Sequence, residues 1–239
     1  MIISYLHNFI FIKTKKTAGT SMEVALATHA GPDDVVTPFG PREERERFKL
    51  YPESPPQNFG KDKEGEARFI AAWKTGNRKS IRAVVDQIAT PNLVVQRHGS
   101  ARRAKQLVGD GFWNSAFKFT IERHPYEKAV SLAWFGRKGR EFSEALDEVV
   151  QGDVYRNFPL YTIDGRLAVD FVVRYEHMEE DLEKVEHAIG GLPVRARLPR
   201  ANAKQRSDRR PAIEVLSDGQ KAIVYDKCRE EFELMGYEP

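Results

Sequence analysis

The feature that most constrains this chain is the join between an apolar run, Phe9 to Ile12, and a helix-like segment, Met22 to Ala27. Between them lies a short loop with one glycine, Gly19, a central lysine, Lys16, and hydroxyl residues at Thr17, Thr20 and Ser21. In physical terms this is a strand, an anion-cradling loop and a helix N-terminus. Such a join aims backbone N–H groups and the positive end of the helix dipole at one point, which suits a phosphate. Lys16 adds a full charge, and the hydroxyls add donors. The loop departs from the nucleotide-triphosphate pattern: its first glycine is absent, and the lysine precedes Gly19 instead of following it.

A second motif points the same way. Residues 117–121 alternate apolar and polar, as a strand does. Pro125 stops that strand and can open a helix at its first turn. Arg123 then sits at the strand end and Ser131 in the early turns of the helix. An arginine fork grips a phosphate with two parallel hydrogen bonds, and a serine hydroxyl adds a third. The same residues also allow a structural arginine, paired with Glu122 or Glu127, and a solvent-facing Ser131.

Lys16 to Ser21 resembles the 5′-phosphosulfate loop of the sulfotransferases that use PAPS, 3′-phosphoadenosine 5′-phosphosulfate. Arg123, Pro125 and Ser131 resemble the 3′-phosphate site of that family. Where the family usually has proline before the loop lysine, this chain has Lys15. Arg174 to Leu182 looks like the segment that holds the adenine, with Tyr175 at the contacting position. Asn92 to Ala101 resembles the strand and loop that carry a histidine, here His98, in carbohydrate-type members. Residues 198–210 resemble a late basic loop, with Asn202, Lys204 and Arg206 near the 3′-phosphate. Asp226 to Tyr237 looks like the family's last helix. The match is weakest between Thr37 and Thr90.

The resemblance implies an α/β fold of the P-loop-like sulfotransferase type, with a central, mostly parallel sheet flanked by helices. It implies PAPS as donor co-substrate, no metal, and a hydroxyl acceptor of carbohydrate or glycolipid type. Lys16 would stabilise the departing bridging oxygen. Thr17, Ala18, Gly19, Thr20 and Ser21 would hold the 5′-phosphate. Arg123 and Ser131, with Lys204 and Arg206, would hold the 3′-phosphate, and Tyr175 the adenine. His98 is the first choice of base, because imidazole titrates near neutrality; Glu122 and Glu176 stand in reserve. His124 faces its own turn. A nucleotide-dependent kinase would need an acidic, metal-binding strand end, which is not evident. A non-catalytic nucleotide or polyanion binder would need only the cradle.

Composition bounds these readings. With 239 residues and 41% hydrophobic side chains, one α/β domain over 1–239 is expected, with a surface insertion or acceptor-binding region around 33–90. Charge and proline in 33–60 predict a long surface excursion. A net charge of +3 implies no general polyanion surface, so nucleic acid is not an expected partner. Arg102, Arg103 and Lys105 could instead meet an anionic acceptor. The single cysteine, Cys228, excludes an intramolecular disulfide and shares an apolar helical stripe with Val224, Phe232 and Met235, which predicts a core position. No run suits a membrane span and no leader pattern opens the chain, so it reads as soluble and cytoplasmic.

Strands are expected at 3–12, with a break near His7 and Asn8, and at 93–96, 117–122 and 170–174. Helices are expected at 20–29, within 65–88, and at 101–108, 126–135, 143–150, 182–189 and 218–235. Ser217 and Gln220 form a capping box for the last of these. Lys16, His98, Arg123 and Tyr175 each follow a predicted strand. If those strands are parallel, the side chains gather at one sheet edge.

Overall fold

The protein is described here from a computed structural model, which covers residues 1–85, 93–199, 208 and 210–239. The first apolar stretch breaks into β1 (Ile2–Ser4) and β2 (Phe9–Ile12). Asn8 makes the turn with φ 52°, and Asp34 stitches it: its carboxylate accepts from the Tyr5 N–H at 2.7 Å and the Ser4 hydroxyl at 2.7 Å. The chain continues as α1 (Gly19–Ala27), β3 (Val35–Val36), α2 (Pro41–Leu50), α3 (Lys63–Lys74), α4 (Arg78–Val85), α5 (Ala101–Ser115) and β4 (Phe117–Glu122). Then come α6 (Pro125–Gly136), α7 (Phe142–Gln151), α8 (Phe158–Tyr161), a small hairpin of β5 (Thr162–Ile163) and β6 (Arg166–Leu167), and β7 (Phe171–Arg174). The last helices are α9 (Met178–Ala188), α10 (Val194–Arg197), α11 (Ala212–Val215), α12 (Asp218–Lys227) and α13 (Arg229–Met235).

The main sheet has the order β3-β1-β2-β4-β7. β2, β4 and β7 run parallel, whereas β1 is antiparallel to both β2 and β3. The expectation of a mostly parallel sheet is therefore corrected to a mixed one. The reason is local: the turn at 5–8 is far too short for a crossover and permits only a hairpin. The strand expected at 93–96 does not form. Leu93 makes a single bridge to Gly60, and Val95 packs as a buried plug with Met1, Ile3 and Ala101. A short apolar run carries no signal that separates a ladder from such a plug.

Both faces of the sheet are covered, which is why Phe9 to Ile12 is apolar throughout. Phe9 and Phe11 join Met22, Leu26, Phe119, Leu182 and Val185 on the face of α1 and α9. Ile10 and Ile12 join Ala104, Trp113 and Tyr161 on the face of α5 and α8. A helical block of α6, α7, α12 and α13 has its own core, in which Cys228 is buried beside Val224 and Phe232. The capping box at Ser217 and Gln220 is present, but the expected single helix 218–235 divides at Cys228.

Residues 33–60 are not a solvated excursion. They supply β3 and α2, and α2 buries charge: Glu44 and Arg47 are wholly shielded from solvent. Glu44 accepts from the Trp73 indole at 2.8 Å and from the Phe39 N–H, while the Arg47 guanidinium stacks 4.0 Å from the Phe39 ring. Because charged residues occupy the inward positions, a hydrophobicity pattern reads this helix as solvent-facing. Among the described residues no helix is long and apolar enough to cross a membrane.

Candidate functional site

The loop after β2 has an uncommon backbone. Lys16 and Ala18 both take left-handed backbone, with φ 63° and 62°, and Thr17 between them does not. Left-handed residues at alternate positions are the kind of backbone from which anion-binding nests of N–H groups are made. Two non-glycine residues in this region cost roughly 1–2 kcal/mol each, so the surrounding structure must hold the shape. Gly19 is needed for close approach: a Cβ there would lie 2.9 Å from Lys13 Cγ and 3.3 Å from the Thr14 carbonyl. Ala18 starts α1 with no side-chain cap, so the first-turn N–H groups are left to an anion or water.

The hydroxyls divide. Thr17 Oγ1 lies 2.8 Å from Thr14 Oγ1, whose own bond runs to the Ile121 carbonyl. The Thr17 side chain thus braces the loop against β4, which leaves its amide for the nest. Thr20 and Ser21 sit half-buried in the first turn of α1.

Lys16 and Arg123 come together. β2 and β4 are parallel neighbours in register, so the residues after them emerge at one edge. Lys16 Nζ lies 4.4 Å from the centre of the Phe135 ring. Burial, and then the nearby Arg123 charge, lower the Lys16 ammonium to about 8. Arg123 stacks its guanidinium 4.4 Å from the Tyr175 ring. Its Nη2 donates to Glu127 Oε2 at 3.0 Å, while its buried Nε has no partner. The pairing with Glu127 is thus real, and one donor remains unspent beside it. On α6, Glu127, Ser131 and Phe135 are spaced four apart and share one face. Glu127 touches Arg123 and Phe135 touches Lys16, so Ser131 lies between the two cations.

His98 approaches the loop at its first residue. His98 Nδ1 is 3.2 Å from the Lys13 carbonyl. A carbonyl only accepts, so Nδ1 carries the proton and Nε2 holds the free lone pair. Burial, reinforced by the Lys13 charge, lowers the imidazole to about 3, which keeps it neutral at ordinary pH. It does not follow a strand, contrary to expectation, but stands in the turn before α5.

The reserve carboxylates are both engaged. Glu122 is wholly buried and accepts from Lys128 Nζ at 2.7 Å. Glu176 accepts from the His124 N–H at 3.0 Å and the Tyr237 hydroxyl at 2.8 Å. His124 accepts from the Tyr126 N–H at 3.3 Å and so caps α6. Arg102 pairs with Asp164, and Lys105 with Asp110 at 3.2 Å. Asn202, Lys204 and Arg206 lie outside the described residues.

Sequence reasoning passed over several neighbours. Lys13 does not face the nest but donates to the buried Glu23 at 2.5 Å. Phe135 roofs Lys16, and its place eight residues beyond Glu127 on one helix was the available signal. Asn157 reaches the Lys15 backbone from 142 positions away, and no local pattern marks it.

No family model matches the chain, and no solved structure matches it. A protein of Archaeoglobus fulgidus described as "Uncharacterized protein" is 36% identical over 93 residues, which cover 36% of this chain and 78% of that relative. Over that stretch the two share one family, to which this chain belongs and for which the relative's description states no activity.

Proposed function

We propose that this protein is a sulfotransferase that moves a sulfonate group from PAPS to a hydroxyl acceptor of carbohydrate or glycolipid type. One observation carries the reading. A nest-forming loop with Lys16 and a strand end with Arg123 lie at the same edge of adjacent parallel strands, close enough that their charges repel. A ligand with two separated phosphoryl groups fits that pair of grips better than one with a single phosphate chain. The unpartnered Arg123 Nε and the uncapped start of α1 are free donors of the kind such a ligand needs.

In this reading the loop amides, with Thr20 and Ser21, hold the 5′-phosphate. Arg123 and Ser131 hold the 3′-phosphate, and Tyr175 flanks the adenine. Lys16 donates to the bridging oxygen as the bond from that oxygen to sulfur breaks and the acceptor oxygen bonds to sulfur. His98 Nε2 takes the acceptor's proton. Burial is the main cause of its low affinity for protons and the lysine charges add to it; a bound anionic donor would offset the lysine part alone. Glu122 and Glu176, bound to partners of their own, are weaker choices.

A second reading, a binder that keeps the cradle without transfer, draws on the same His98: an imidazole near 3 is a weak base. The test is a thermal shift with 3′-phosphoadenosine 5′-phosphate and with ATP, followed by a screen of hydroxyl acceptors with labelled donor. Stabilisation by the bisphosphate alone, with label transfer, supports the enzyme. Stabilisation with no transfer to any acceptor favours the binder, and no shift with either ligand removes both.

A further inference from the structure

Behind the cradle lies a buried polar network that joins distant parts of the chain. Glu122 ends β4, and its Oε1 accepts from Lys128 Nζ at 2.7 Å, from Asn157 Nδ2 at 3.2 Å and from the Arg123 N–H at 2.9 Å. Its Oε2 accepts from the Tyr161 hydroxyl at 3.1 Å. Asn157, also wholly buried, uses its amide twice on one residue of the loop. Its Oδ1 accepts from the Lys15 N–H at 2.9 Å, and its Nδ2 donates to the Lys15 carbonyl at 3.1 Å. Its own N–H donates to Glu231 Oε1 at 2.8 Å, which ties it to α13.

The consequence is geometric. The Lys15 carbonyl belongs to the peptide that leads into Lys16. Holding the Lys15 N–H and carbonyl fixes the two peptide planes that flank its Cα, and from the second of these Lys16 enters its left-handed conformation at φ 63°. A neutral amide can do this because it presents a donor and an acceptor side by side. The Asn157 side chain is shielded from solvent, and the Glu122 carboxylate strengthens the bond to Nδ2. The same carboxylate receives the N–H of Arg123. One side chain therefore connects the loop that carries Lys16 to the strand end that carries Arg123.

We infer that Asn157 is a positioning residue that sets the spacing between the Lys16 loop and the Arg123 strand end by tying the Lys15 backbone to Glu122. That the two grips serve one bisphosphate ligand rests on the function proposed above; the clamp itself does not. It acts through the backbone of Lys15 and need not touch a ligand.

Asn157→Ala, in the full chain, removes both bonds to Lys15. Tyr161→Phe removes a neighbouring bond to Glu122 and leaves Lys15 held, so it serves as the control. Amide hydrogen exchange at Lys15, the loop N–H that Asn157 holds, an NMR titration of the Lys16 ammonium, and calorimetric binding of 3′-phosphoadenosine 5′-phosphate read the result. Asn157→Ala should speed exchange in the loop more than about tenfold while β4 stays protected. It should also return Lys16 toward its ordinary titration range and weaken bisphosphate binding by more than about tenfold, with Tyr161→Phe like wild type in all three. Loop exchange in Asn157→Ala equal to wild type overturns the inference, and so does a Tyr161→Phe variant that loosens the loop equally. Should the alanine variant fail to fold, Asn157→Ser replaces it under the same criteria. A wild type that ignores the bisphosphate defeats the proposed donor, while exchange and the Lys16 titration still decide the clamp.

Discussion

At the residue scale, Lys16 is where sequence and structure agree most fully on position. Its place in the loop was legible because a lysine between an apolar strand and a helix start has few structural uses. Arg123 and Ser131, more than a hundred positions away, were expected in the same site from their own strand-to-helix pattern, whereas Phe135, from the same segment, was not. The depressed Lys16 pKa gives two expectations with defined sign. In the folded state the ammonium loses its proton near 8, whereas in the unfolded chain it does so near 10.4, roughly the free value. Between these values the unfolded chain binds more protons, so this group adds stability as pH rises through that window. Anion binding runs the other way. Affinity for 3′-phosphoadenosine 5′-phosphate should fall above about pH 8, and calorimetry across pH 6–10 should show that fall abolished in Lys16→Ala. On an active acceptor, Lys16→Ala should lower turnover by a factor corresponding to ~3 kcal/mol of barrier. His98→Ala should abolish turnover and spare donor binding; loss of binding instead would make His98 a donor contact.

At the scale of elements, the βα join at the start of the chain and the strand-to-helix join at Pro125 could be read because each is a local pattern. The same holds for the capping box at Ser217. The failures have a common cause. The run Leu93 to Gln96 packs as a plug and α2 buries charge, so hydrophobicity was a poor guide to both. Two substitutions test the elements. Gly19→Ala should lose bisphosphate binding, because the added Cβ meets Lys13 Cγ and the Thr14 carbonyl, and cost about 1–3 kcal/mol of stability by overpacking. Glu44→Ala should lower stability by about 3 kcal/mol in urea denaturation. It strips the Trp73 indole and Phe39 N–H of their acceptor and leaves Arg47 buried without a carboxylate.

At the scale of the whole molecule, the sheet order explains the placement of the site. The three parallel strands deliver Lys16, Arg123 and Tyr175 to their carboxyl ends, where ligands of open α/β sheets bind. The antiparallel pair β1 and β3 lies on the far side of β2 and brings α2 against the base of the loop, where Lys13, Glu23 and Thr37 meet. Cys228 is buried in the helical block, and its thiol is pushed well above the ordinary range by burial, so it should resist a thiol reagent until the protein unfolds.

The most direct measurement is calorimetric titration of the wild-type protein, Lys16→Ala and Arg123→Ala with 3′-phosphoadenosine 5′-phosphate, adenosine 5′-phosphate and ATP. If one bisphosphate spans both grips, the wild type prefers it over the other two by at least about tenfold, Arg123→Ala erases the advantage over adenosine 5′-phosphate, and Lys16→Ala weakens all three ligands, since each carries a phosphoryl group at the 5′ position. Equal affinity for all three ligands, or an Arg123→Ala variant that keeps the preference, would contradict it.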